Sequence, residues 1–117
     1  MIYPDHMDAE CIPLCNAINE MPGLTTFDVK ASCCGHGQRE MWVSFSIVRG
    51  KTLKGLSSIR LILSIIYGEL YGTGWKIYLE TEPSLGVGIV FTLRSEEMGS
   101  LAYKEAGWIA EYIERWK

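Results

Sequence analysis

The chain has 117 residues and a formal net charge of −3, and 48% of its residues are hydrophobic against 21% charged. This length suits a single domain, residues 1–117, with its own hydrophobic core, and the composition excludes the disordered and fibrous classes. No apolar run reaches the ~20 residues of a membrane-spanning helix, so no membrane partner is expected. The N-terminal stretch MIYPDHMDAE has no apolar signal region, which predicts a cytoplasmic protein without disulfides.

Positive charge is concentrated in one part of the chain. Residues 30–60 contain six Lys and Arg and one Glu, whereas the first 29 residues contain five acids and no Lys or Arg. Clustered positive charge attracts polyanions, so nucleic acid is a candidate partner of residues 30–60. The alternative for Lys51, Lys54 and Arg60 is a solvated helix face.

The first predicted element is a helix within CIPLCNAINEM. Pro13 is tolerated only in the first turn, so the helix begins near residue 11 or 12, and Pro22-Gly23 ends it. The apolar residues recur at helical spacing and predict one buried face: Cys11, Leu14, Cys15, Ile18 and Met21. Both cysteines are therefore expected in the core.

Two strands are predicted next. TTFDVKAS alternates in polarity, with Phe27, Val29 and Ala31 on one face, and MWVSFSIV repeats the alternation. The stretch CCGHGQRE joins them, which predicts a hairpin.

A second helix is predicted from Thr52, as N-cap, to about Tyr71. Its predicted buried stripe consists of Leu56, Ile59, Leu63, Ile66 and Leu70. Two further strands, GTGWKIYLE and VGIVFTLR, are predicted on either side of a turn at EPSLG.

Ser95 followed by Glu96-Glu97 predicts the start of a last helix. Its predicted stripe consists of Met98, Leu101, Ala102, Ile109, Tyr112, Ile113 and Trp116. The element order predicts a two-layer α+β domain, in which a four-stranded, largely antiparallel sheet has helices on one face and solvent on the other.

Residues 31–38, ASCCGHGQ, place two cysteines and a histidine in the predicted first turn. Successive N–H groups around Gly35 and Gly37 can form an anion-binding nest, and basic side chains beside it would favour a phosphate or a carboxylate. We therefore predict a binding site for a small anionic or nucleotide-like molecule. Its candidate residues are Lys30, Ser32, Cys34, Gly35, His36, Gly37 and Arg39.

Three alternatives remain for the same turn. Cys34 with His36 could form a catalytic pair, because a nearby imidazolium stabilises a thiolate. Cys11, Cys15, Cys34 and His36 could instead bind zinc and stabilise an interaction module. In the third alternative Cys33 continues the buried face of its strand, and the turn has no chemical role.

The stretch LCNAINEMPGLTTFDVKASCCGHG resembles small proteins of bacteria, archaea and phages that carry an N-x-x-P-G-x-x-T block followed by S-C-C-G-H-G. Over about residues 14–37 it also resembles, more distantly, the N-terminal part of the tRNA wybutosine-synthesising protein 3 family. Ser32, Cys33 and Gly35 match that family, whereas Cys34 replaces a serine and His36 an arginine. This second resemblance implies a methyltransferase that uses S-adenosylmethionine on tRNA, with its site at the first hairpin.

Overall fold

The computed structural model describes residues 11–26, 41–82, 88–97 and 99–116. The elements are α1 (Ile12–Asn19), β1 (Leu24–Thr26), β2 (Trp42–Ile47), α2 (Thr52–Ser64), a π-helical turn (Ile65–Glu69), β3 (Lys76–Glu82), β4 (Gly88–Arg94) and α3 (Gly99–Trp116). The predicted α+β class and element order are confirmed. Among the helices of these ranges, none has the length and apolar character to cross a membrane.

The four strands form one antiparallel sheet in the order β1-β2-β4-β3. β1 pairs with β2, and β3 pairs with β4, as the two predicted hairpins require. The pairing of β2 with β4 joins them, and sequence patterns did not predict it. Both predicted turns, and the alternating face of Phe27, Val29 and Ala31, lie outside the described residues.

The core lies between the helices and one face of the sheet. Val43 and Phe45 of β2 and Leu93 of β4 are fully buried there, and Phe45 stacks on Phe91 across the strand pair. The buried hydrophobic residues of all three helices belong to the same cluster. Cys11 and Cys15 are both 0% exposed, so their predicted core burial is confirmed.

The second face of the sheet is not the solvated face that the sequence predicts. At its centre Ser44, Ser46, Val90 and Thr92 are between 3% and 7% exposed. Ser44 Oγ and Thr92 Oγ1 lie 3.0 Å apart and hydrogen-bond to each other. Because these hydroxyls satisfy each other, they can be withdrawn from water at little cost.

A close backbone contact joins the turn before β1 to α2. Gly23 has φ +78°, and a Cβ at this position would collide with Gly55 N and come within 2.9 Å of Lys51 O. Two hydrogen bonds hold the same corner, from Ser58 Oγ to Pro22 O and from Val48 N to Gly23 O, both 2.7 Å long. Only glycine fits this combination of positive φ and close approach.

The same contact explains why the predicted stripe of α2 is partly wrong. Leu56 is 49% exposed and Leu63 is 37% exposed, although the spacing predicts both inside. The helix instead turns Gly55 and Ser58 toward the corner, and these small residues allow the close approach. Its buried residues are Gly55, Ser58, Ile59 and Ile62. The predicted cap is also wrong, since Lys51 is the N-cap residue and makes no side-chain capping hydrogen bond.

The π-helical turn re-phases the end of this helix. Leu70 N donates to Ile65 O, five residues back, at 3.0 Å. This wider turn contains one more residue than an α-helical turn, which lets Ile65, Ile66 and Leu70 all face the core. The burial predicted for Ile59, Ile66 and Leu70 is confirmed.

α3 begins at Gly99, later than the sequence predicts. Ser95 N donates to Met41 O, which extends the β2–β4 pairing through Ser95 and delays the helix. Ser95 Oγ accepts a hydrogen bond from Glu97 N at 2.9 Å, and so caps a turn that precedes α3. In the predicted stripe Ala102, Ile109 and Ile113 are buried, Tyr112 is half-buried, Leu101 and Trp116 are exposed, and Met98 lies outside the described residues.

Replacing Gly23 by alanine tests the corner against a matched control. Gly50 also has positive φ, but a Cβ there would meet nothing within 4 Å. We expect Gly50→Ala to cost about 1–2 kcal/mol from backbone strain alone. Gly23→Ala should cost about 1–3 kcal/mol more, because it also displaces α2. Urea unfolding measures both, and equal losses would contradict the contact.

Candidate functional site

The predicted site residues Lys30, Ser32, Cys34, Gly35, His36, Gly37 and Arg39 lie outside the described residues. Their flanking strands are described. β1 ends at Thr26, which pairs with Phe45, and β2 begins at Trp42. Because β1 and β2 are antiparallel neighbours, the chain leaves one strand and re-enters the other at the same end of the sheet.

The four specified residues of the N-x-x-P-G-x-x-T block, Asn19, Pro22, Gly23 and Thr26, hold α1, β1 and α2 together. Asn19 Oδ1 accepts a hydrogen bond from Thr26 N at 2.8 Å, which ties the end of α1 to the end of β1. Pro22 O and Gly23 form the corner with α2. The block therefore positions the strand that leads into the S-C-C-G-H-G segment.

Beside this end of the sheet, three side chains form what we call the aromatic–cationic row: Trp42, Arg94 and Lys76. Arg94 of β4 is paired in register with Trp42 of β2 on one side and with Lys76 of β3 on the other. Paired residues share a face, and alternation places the row on the second face of the sheet, beside Ser44 and Thr92.

The two cations of the row have different surroundings. Lys76 Nζ bonds Glu96 Oε1 at 3.0 Å, and this carboxylate raises the pKa of the Lys76 ammonium. Arg94 places its guanidinium 5.7 Å from the ring centre of Tyr78. Within the described ranges no carboxylate forms an ion pair with Arg94. Arg94 therefore offers a positive charge and several N–H donors, and no acid of the described ranges neutralises it.

A cleft of about 370 Å³ adjoins Lys76. Its walls include Tyr67, Tyr71, Trp75 and Glu96, so it combines aromatic surface with the ion pair. Because Glu96 neutralises Lys76, this cleft offers no net positive charge of its own. The anion-attracting part of the region is Arg94.

The described cysteines do not support a zinc site. Cys11 is disulfide-bonded, contrary to the expectation of reduced cysteines, and a sulfur in a disulfide is not a thiolate ligand. Cys15 is a free thiol, and burial raises its pKa from 9.0 to about 12. Within the described ranges, no group of three or more His, Cys, Asp and Glu could hold a metal ion. Cys34 and His36, the other two residues of the zinc and catalytic hypotheses, lie outside those ranges.

Sequence reasoning missed Trp42, Lys76, Tyr78 and Arg94 as site residues. Alternation in MWVSFSIV, KIYLE and FTLR already places these side chains on one face of their own strands. Bringing them together requires the strand order and the register, and neither can be read from local patterns.

Comparison with protein-family models, with curated proteins and with solved structures finds no match.

The buried Cys15 thiol should make stability depend on alkaline pH. Above pH 9.0 the unfolded thiol ionises, whereas the native thiol stays protonated to about pH 12. The native state then holds more protons, so its stability falls as pH rises, by about 1.4 kcal/mol per pH unit from this group. Cys15→Ala lacks this loss, and the gap in unfolding free energy between it and the wild type should narrow above pH 9.

Denaturant unfolding across pH 8–10.5 measures this gap. The control is Ile18→Val, another truncation in α1 that removes no titratable group, and its difference from the wild type should stay constant. Parallel curves for Cys15→Ala and the wild type would contradict the raised pKa.

Proposed function

We propose that the protein binds a small anionic, nucleotide-like molecule at the end of the sheet that carries the aromatic–cationic row, together with residues of the S-C-C-G-H-G segment. The observation that carries this proposal is Arg94, exposed between Trp42 and Lys76 without a carboxylate partner in the described part of the chain. An arginine in this state binds phosphate or carboxylate oxygens through two parallel N–H donors.

Trp42 supplies the second element of recognition. Its side chain is half-buried and therefore positioned by the fold, with part of its surface exposed. An indole ring in this setting can stack on a nucleobase, and stacking of this kind tolerates every base. Tyr78, which is 41% exposed, holds the Arg94 guanidinium on the same face.

The candidate residues of the motif supply the third element. Asn19 holds Thr26 at the end of β1, and Trp42 begins β2, so the segment between them is anchored at the end where the row lies. This segment contains the basic residues Lys30, His36 and Arg39 and the two glycines Gly35 and Gly37. The proposed site combines their nest and charges with Arg94.

A small molecule fits this arrangement better than a long polyanion. Lys51, Lys54 and Arg60 belong to α2 or its N-cap, and α2 packs on the first face of the sheet. The row lies on the second face. Lys51, Lys54 and Arg60 therefore lie on the other side of the sheet from the row, whereas binding a nucleic acid strand favours one continuous positive track.

Thermal shift measurements with adenosine 5′-monophosphate, adenosine and inorganic phosphate test the proposal. We expect the monophosphate to stabilise the protein most, because it alone contacts both Trp42 and Arg94. Arg94→Gln should weaken its binding by about tenfold or more, since a charge-assisted hydrogen-bond pair is lost. The matched control is Arg115→Gln, an exposed arginine that also lies over a tyrosine, Tyr112.

The motif is tested by Cys34→Ala and His36→Ala in the same assay. Both should reduce the shift caused by the monophosphate, and His36→Ala should leave the melting temperature without ligand close to that of the wild type. If Arg94→Gln reduces binding and the motif variants do not, the ligand contacts the row alone. The absence of any shift with all three compounds would refute the proposal.

A further inference from the structure

β3 lies at an edge of the sheet and is unpaired on its outer side. Within the described ranges it pairs with β4 alone. The strand is seven residues long and contains no proline, and Leu79 at its centre is 67% exposed. A long, unpaired edge strand with an exposed apolar residue is a surface to which another strand can add.

The opposite edge of the sheet does not offer such a surface. β1 has only three residues, and Thr26 N already donates to Asn19 Oδ1. Thr26 O accepts a hydrogen bond from Thr25 Oγ1 at 3.1 Å. Very short edge strands resist pairing with another chain. Strand addition is therefore expected at β3 and not at β1.

The helical layer leaves room for a further strand beside β3. Leu79 is paired in register with Phe91, which stacks on the buried Phe45, so Leu79 belongs to the face that carries the helices. Its high exposure means that no helix of the described ranges covers this part of the face. Tyr78, on the second face, is 41% exposed. A strand can therefore approach the outer side of β3 without meeting a described helix.

We infer that this strand is β3 of a second copy of the chain, paired antiparallel about a twofold axis at Leu79. All seven residues of β3 then have a partner, and Leu79 of one copy lies opposite Leu79 of the other. Lys76 lies opposite Glu82 on both sides of the axis. Directly opposite residues of an antiparallel pair share a face, and opposite charges there are favourable. The Lys76 ammonium has three N–H donors, so it can bond a second carboxylate besides Glu96.

The neighbouring registers are less favourable. With the axis at Glu80, the two Glu80 residues lie directly opposite each other, and like charges in this position repel. With the axis at Tyr78, Lys76 still meets an acid, Glu80, but only five residues of β3 have a partner within the strand. Of these three registers, the one centred on Leu79 combines full pairing with opposite charges.

Disulfide crosslinking of the full chain tests the register. Leu79→Cys places two thiols on directly opposite residues, whose Cα atoms are about 4.5–5.5 Å apart, a distance that a disulfide spans. Oxidation with diamide should therefore give a covalent dimer. The matched control is Tyr78→Cys, whose two copies lie about 7–8 Å apart on the diagonal and should crosslink far more slowly.

Wild-type protein oxidised in parallel gives the background from the native cysteines. If Leu79→Cys gives no covalent dimer above this background, or if Tyr78→Cys crosslinks as fast, the inferred register is wrong.

Sedimentation equilibrium of the full chain tests the contribution of charge. One strand pair is small among specific interfaces, so we expect a monomer–dimer equilibrium with a dissociation constant on the order of 10 μM. Glu82→Lys should weaken the dimer by about tenfold, because it places two lysines opposite each other on each side of the axis. The control is Glu20→Lys, which reverses an exposed acid four residues before β1, at the opposite edge of the sheet, and should leave the equilibrium unchanged.

The double variant Lys76→Glu/Glu82→Lys should recover most of the lost affinity, since opposite charges again face each other. Circular dichroism melting checks that each variant is folded. A wild type that remains monomeric up to about 1 mM, or a double variant that dimerises no more tightly than Glu82→Lys, would overturn the inference.

Discussion

The close contact between Gly23 and Gly55 determines how the helical layer sits on the sheet. With no side chain at either position, the turn before β1 touches the backbone of α2, and a Cβ on Gly55 would also collide with Ile47 of β2. This contact turns Ile59 and Ile62 into the core and leaves Leu56 and Leu63 in solvent. The exposure of these two leucines is thus a direct result of the Gly23–Gly55 contact on the opposite side of α2.

The same corner also positions the candidate binding region. Pro22 and Gly23 are held by α2, and three residues later Thr26 is held by Asn19 of α1. β1 is only three residues long, so its direction is set by these contacts at both of its ends. The chain therefore leaves β1, in the direction of the S-C-C-G-H-G segment, from a short strand that two helices restrain. The four specified residues of the N-x-x-P-G-x-x-T block therefore each have a structural role.

Local patterns predicted much of the fold and little of the site. Alternation and helical spacing predicted the seven elements, their order and the burial of Cys11, Cys15, Ile18 and the strand that contains Phe45. They failed for Leu56 and Leu63 because apolar spacing alone cannot distinguish two neighbouring helix faces, and here the space beside Gly55 decided between them. They also missed Arg94 as a neighbour of Trp42, because strand order and register are non-local properties.

The central pairing of the sheet has a consequence for how the molecule assembles. β1–β2 and β3–β4 join strands that follow each other along the chain, whereas the buried Ser44–Thr92 hydrogen bond joins residues 48 positions apart. Closing so long a loop costs more conformational entropy than closing either hairpin. Trp42 and Arg94 become neighbours only when β2 pairs with β4. A molecule that contacts both residues therefore binds the complete sheet and does not bind either hairpin alone. A ligand at the proposed site would then stabilise the pairing of β2 with β4.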